Sequence, residues 1–205
     1  MTFLLILWLL QSNKVALENE YVRVTQDAAP CASATAPGCG DRVIVALGEI
    51  ELRSGPSSRK VTRKMTRGDI AVFKPGESYE TPTGGAFFEV AFKANHPPVE
   101  SPREIIPPEK NAMRYEGGRF FIFEERLDPG DTRPRHSHSQ RVVVQLNRTR
   151  LQQLPDGEPE VVRDIVPDRA AFNPPVIHTV KNVGDAPLRG IVIEFKPEQR
   201  KPLSK

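Results

Sequence analysis

Apolar residues in this chain gather in short runs rather than at helical spacing. The clearest are YVRV (Tyr21–Val24), DRVIVAL (Asp41–Leu47), DIAVF (Asp69–Phe73), FFEVAF (Phe87–Phe92), RFFIF (Arg119–Phe123), RVVVQL (Arg141–Leu146) and GIVIEF (Gly190–Phe195). Each is rich in β-branched or aromatic residues and is bounded by Gly, Pro, Asn or Asp, the pattern of strands separated by turns. No long segment places apolar residues three and four apart. With 20 prolines and 14 glycines in 205 residues, the pattern predicts an all-β chain of many short elements.

The runs repeat. Asp41–Gly48 (DRVIVALG) and Gln140–Asn147 (QRVVVQLN) lie 99 residues apart, and so do Asp69–Pro75 (DIAVFKP) and Asp168–Pro174 (DRAAFNP). The same spacing pairs Tyr21 with Phe120 and Val24 with Phe123, and it makes Phe73 and Phe172 equivalent core candidates. After a small length change FFEVAFK also resembles GIVIEFK. A register held this long predicts a tandem duplication of one all-β unit. Between the copies NHPPVESPREIIPPEK, dense in proline and charge, reads as a linker.

Three of the four histidines fall in two short stretches of the second copy. In RPRHSHSQ, His136 and His138 stand one residue apart, so an extended chain points both to one face. About forty residues on, FNPPVIHTVKN places His178 just after a Pro-Pro turn. Imidazole is the commonest metal ligand, and three converging nitrogens leave positions open for water, substrate or dioxygen. The corresponding stretch of the first copy keeps the strand and has no histidine, so the scaffold does not require them.

At these residues the chain resembles a cupin with two units, a bicupin. The family's first motif is Gly, five residues, His-x-His, three or four residues, Glu, six residues, Gly, and Gly130, His136 and His138 match its opening. The second is Pro-x-Gly-x-x-His-x-x-x-Asn, matched by His178 and Asn182, with Pro174 and Pro175 filling the turn without its glycine. The resemblance spans roughly residues 14–197. It implies two tandem jelly-roll-like β-barrels, with a divalent transition metal (Fe, Mn, Ni or Zn) held by His136, His138 and His178 in the second. It also implies a dioxygenase-type oxidoreductase acting on a small organic substrate, with an isomerase using the same ligands as a variant. The alternative is a non-catalytic bicupin that binds a small ligand.

The departures from the motif matter. After three or four residues the family's Glu would fall on Val142 or Val143, while counting back from the turn at Asn147 lands on Gln140. Gln140 is therefore the candidate fourth ligand, through its amide oxygen, or a residue that orients a bound water. Three neutral imidazoles without a carboxylate leave more positive charge on a metal and favour anionic ligands. Arg133, Arg135 and Arg141 flank the motif; either Arg133 or Arg135 holds a substrate carboxylate at the barrel mouth, or all are solvent-facing charges. In the first copy Pro37, Cys39 and Tyr79 occupy the histidine places, which predicts a structural, metal-free unit.

The expected organisation is an apolar segment at 1–13, a first unit at 14–94, a linker at 95–112, a second unit at 113–198 and a tail at 199–205. Net charge is +3, and the basic cluster Arg59, Lys60, Arg63, Lys64, Arg67 has no interleaved aromatics, so a solvated hairpin is expected and nucleic acid is not. His96 is expected in a solvated loop. The run TFLLILWLL is too short to span a membrane, and it reads equally as a signal-peptide core or an edge strand. Cys31 and Cys39 share one loop and suit either a small disulfide or two thiols. Together these features favour a periplasmic or secreted location over the cytoplasm. The expected partners are a small-molecule ligand and a second copy in a homodimer.

Overall fold

In the computed structural model the described residues are 14–29, 40–56, 58–99 and 111–198, and they contain strands and no helix. The expectations for the N-terminal segment, Cys31, Cys39 and the tail lie outside them. Eight strands come from the first half: β1 (Lys14–Glu18), β2 (Val22–Gln26), β3 (Arg42–Ala46), β4 (Ile50–Ser54), β5 (Val61–Met65), β6 (Ile70–Phe73), β7 (Thr83–Gly84) and β8 (Phe87–Phe92). Nine come from the second: β9 (Asn111–Glu116), β10 (Phe120–Leu127), β11 (Thr132–His138), β12 (Arg141–Gln145), β13 (Thr149–Pro155), β14 (Val161–Ile165), β15 (Arg169–Asn173), β16 (Val176–Asn182) and β17 (Leu188–Phe195). β9 thus begins inside the stretch expected to be linker.

The two halves use one plan. A five-stranded sheet of order β1-β2-β8-β3-β6 faces a three-stranded sheet β5-β4-β7; in the second half the sheets run β9-β10-β17-β12-β15 and β11-β16-β13-β14. All pairings are antiparallel. The two five-stranded sheets pack against each other, which explains why their central strands are apolar on both faces. Along β12, Val142 and Val144 enter the core between the sheets, while Arg141, Val143 and Gln145 face the interior of their own half. Along β3, Val43 and Val45 do the first, and Ile44 and Ala46 the second. In the shared core Phe92 stacks on Phe120, with ring centroids 4.3 Å apart and planes within 2°.

The repeat is not gapless. Val43 pairs with Val72 and Val142 with Phe172, so the spacing grows by one residue between β3/β12 and β6/β15. A one-residue step exchanges the faces of a strand. Phe73 accordingly lies in the interior of the first half, whereas Phe172 stacks on Tyr21 at 5.8 Å against the core between the halves. A second one-residue step, between β2/β10 and β3/β12, makes Val22 and Val24 the counterparts of Phe120 and Ile122.

Two residues expected in solvent are not there. His96 packs edge-on against Phe195, centroids 5.4 Å apart. Arg67, at the end of the basic cluster, bridges the halves: its Nη2 donates to Leu146 O at 2.5 Å and Asp168 Oδ1 at 2.6 Å, and its Nη1 donates to Leu47 O. Hydrogen bonds from a charged donor contribute about 1.5–3 kcal/mol when lost. Arg67→Ala is expected to destabilise the chain by about 2 kcal/mol, read as a lower urea midpoint, while Arg63→Ala on exposed β5 leaves the midpoint unchanged.

Candidate metal centre

β11 and β16 run antiparallel with His136 directly opposite His178. Because side chains alternate along a strand, His138 joins the same face. The turn into β11 is closed by Gly130, whose φ of 84° suits glycine. Asn182, fully buried, holds the other end by donating to Leu127 O and Ala186 O, both at 2.9 Å. The motif asparagine therefore closes turns.

The three imidazoles are 3–5% exposed, and one nitrogen from each lies within 4.8 Å of the others. Their tautomers follow from their outer partners. His136 Nδ1 sits 2.7 Å from Pro134 O, which can only accept, so Nδ1 carries the proton. His138 Nδ1 sits 2.8 Å from Glu194 Oε2 and donates to it. Glu194 is fixed in turn by the backbone N–H of Ser139, 2.8 Å from its Oε1. Both Nε2 atoms are then lone-pair acceptors, and they face each other at 3.1 Å. Neither ring nitrogen of His178 has a hydrogen-bond partner among the described residues. Converging acceptors with no donor among them cost free energy in a buried site and suit a cation.

Burial pushes all three imidazoles toward the neutral, ligating form. The shift is downward for His136, and His138 and His178 are lowered to about 2, with the Arg141 charge the next cause at His138 and the neighbouring histidines at His178.

Where the cupin pattern has a carboxylate, this chain has none. The first inward position of β12 is Arg141, 8% exposed, whose Nη1 donates to Ser139 O at 3.2 Å and Pro174 O at 2.9 Å. Val143 follows it on the same face and packs with Phe121, Phe123 and Val192. Gln140 lies in the turn before β12, its backbone oxygen accepting from Phe195 N–H at 3.0 Å and its side-chain oxygen buried without a hydrogen-bond partner among the described residues. Arg133 is buried and paired with Glu125. Arg135 is exposed and paired with Asp156 at 2.5 Å. Burial raises the Glu125 carboxyl, yet the Arg133 guanidinium, with Arg141 behind it, holds it below its ordinary value.

Sequence reasoning missed Glu125 and Glu194, and it read Arg141 only as a solvent-facing charge beside the motif, whereas Arg141 is buried. For Arg141 and Glu194 the signal was a charge beside a run of apolar residues, whereas Glu125 stands between Glu124 and Arg126 and carries no such mark. Glu125 and Arg141 line a cavity of about 350 Å³ together with His138 and His178, and Glu194 contacts His138 from outside that lining. The interior of the first half is built differently. Arg42, at the place of Arg141, is fully buried and lies over the rings of Phe73 and Tyr79 at 5.8 and 5.5 Å. The Tyr79 hydroxyl donates to Glu89, whose carboxyl burial pushes up.

No protein-family model matches the chain, and neither does any curated protein. Solved structures do. AerE from Microcystis aeruginosa is similar at a TM-score of 0.56 and 17% identity, over 87% of this chain and 88% of that one. A cupin 2 conserved barrel domain protein from Leptotrichia buccalis gives 0.52 and 13%, over 88% and 86%. Oxalate decarboxylase from Bacillus subtilis, a protein with Mn(II) centres, gives 0.52 and 15%, over 89% and 70%. At such identities the likeness is one of fold, and the fold of this chain is that of the cupins.

Proposed function

We propose that the second half holds a divalent transition metal on His136, His138 and His178, and that the chain is a dioxygenase-type oxidoreductase for a small organic substrate. The observation that carries this reading is the meeting of buried imidazole lone pairs with no donor between them. Fe, Mn, Ni and Zn all accept imidazole nitrogen. The Mn(II) centres of the structurally similar oxalate decarboxylase support manganese as one candidate. A bound metal would supply Lewis-acid and dioxygen chemistry at open coordination positions. The chain's own residues hold the ligands neutral, fix their tautomers through Glu194 and Pro134 O, and wall the cavity with Val143, Val180 and Val192.

A non-catalytic ligand-binding role is the second reading, and one observation favours it. Glu125 and Glu194, the buried carboxylates beside the histidines, are engaged by Arg133 and by His138 with Ser139 N–H. Neither stands free as a general acid or base. Metal analysis of the purified chain, with oxygen uptake on diphenols, thiols and diketones, separates the readings. One metal per chain with uptake supports the enzyme, and one metal without uptake supports the binding module. Absence of stoichiometric metal sinks the enzyme reading.

A further inference from the structure

Arg141 carries a guanidinium into the one place beside the histidines where an anionic metal ligand is expected. Its Nη1 is fully used by two carbonyl oxygens, at 3.2 and 2.9 Å, which fixes the plane of the group. The Nε–Nη2 edge, the side-on pair of donors that matches a carboxylate, has no hydrogen-bond partner among the described residues. Among the described residues no carboxylate forms an ion pair with it; Glu194, directly opposite across β12 and β17, and Glu125 support its charge from farther away. A donor edge held in place without a hydrogen-bond partner suits an incoming anion.

The rest of the cavity has the same sign. Arg163 and Arg169 line it with Arg141. The acids on its wall are engaged by arginines outside the lining, Asp164 by Arg150 at 2.8 Å and Glu125 by Arg133. Three neutral imidazoles add no negative charge to offset a divalent metal. At about 350 Å³ the cavity falls at the small end of ligand sites.

We propose that this cavity binds a small carboxylate anion, one oxygen taken by the Nε–Nη2 edge of Arg141 and the other facing the three histidines. The inference rests on the metal reading above and names the class of ligand for the same site. Arg141 is thus a specificity residue: it occupies the place of an anionic ligand and recruits the anion from outside.

The test uses the full chain loaded with Co(II), whose visible absorption reports its ligands. Pyruvate and malonate are titrated against their neutral amides, pyruvamide and malonamide. The expected result is a spectral change with both carboxylates, at least tenfold tighter than with the amides. Arg141→Gln is expected to weaken the carboxylates at least tenfold while cobalt stays at one per chain, and Arg141→Lys to recover part of the loss. Cobalt bound without discrimination between acid and amide in the unmodified chain overturns this inference alone, and needs no variant to fold. Carboxylate binding that Arg141→Gln leaves intact overturns the role of Arg141. Failure to bind cobalt overturns both this inference and the metal reading.

Discussion

His178→Ala is expected to strip the chain of stoichiometric metal while leaving it folded. Structural metal sites bind with about 10–16 kcal/mol, so each of three imidazoles carries ~3 kcal/mol even at the low end, a factor of roughly a hundred or more in affinity. His178 is the informative choice because neither of its ring nitrogens is hydrogen-bonded among the described residues. Removing it breaks no bond that holds the sheets, and it deletes two buried polar atoms that lack partners. The loss of its packed surface and the relief of those atoms oppose each other, each on the order of 1–3 kcal/mol. The chelated variant should therefore melt near the chelated parent. Metal content by mass spectrometry and thermal melts with and without chelator check both halves of the expectation. Stoichiometric metal retained by the variant would remove His178 from the ligand set.

Acid is expected to destabilise the metal-free chain steeply, beginning well above the carboxylate range. An unfolded histidine takes a proton near pH 6.5, whereas His138 and His178 stay neutral in the fold down to about 2. Between those limits the unfolded state binds more protons, so stability is complete above pH 6.5 and falls as pH drops. Each unit costs ~1.4 kcal/mol per histidine, which gives about 4 kcal/mol for the two at pH 5. That is a large part of the 5–15 kcal/mol typical of a folded domain. With a denaturant slope of ~2 kcal/mol per molar, the urea midpoint should drop by roughly 2 M between pH 7 and pH 5. The lowered Glu125 carboxyl adds a further loss of the same sign below its ordinary range. A midpoint that does not move between these pH values would show that the imidazoles are not held neutral by burial.

Much of this was legible in the chain. Short β-branched runs between turn residues identified strands, because antiparallel pairing needs little beyond alternation and a turn. His136, His138 and His178 were legible as one group because a strand fixes the side on which alternate residues stand. What was hidden depends on single-residue steps. Counting back from the turn selected Gln140 for the ligand place, yet the pleat of β12 turns Arg141 inward with Val143 and Gln145. One inserted residue gave Phe73 and Phe172 opposite faces. Arg133 reads from sequence as a mouth or surface charge; its partner Glu125 sits on a neighbouring stretch of chain, and nothing in the spacing announces the pair. Burial of Arg67 between the halves was hidden for the same reason, since Asp168 is 101 positions away.

The doubly apolar sheets have a last consequence. β12 and β17 each send alternate residues into the histidine-lined interior and into the core shared with the first half. In terms of assembly, the first half behaves as a subunit that never dissociates, because its effective concentration is set by a short tether rather than by mixing. It holds the back of β12 while the front presents Arg141. Changes in one half can therefore reach the other through a single layer of side chains, and a chain cut between the halves would leave two sticky faces where one buried seam had been.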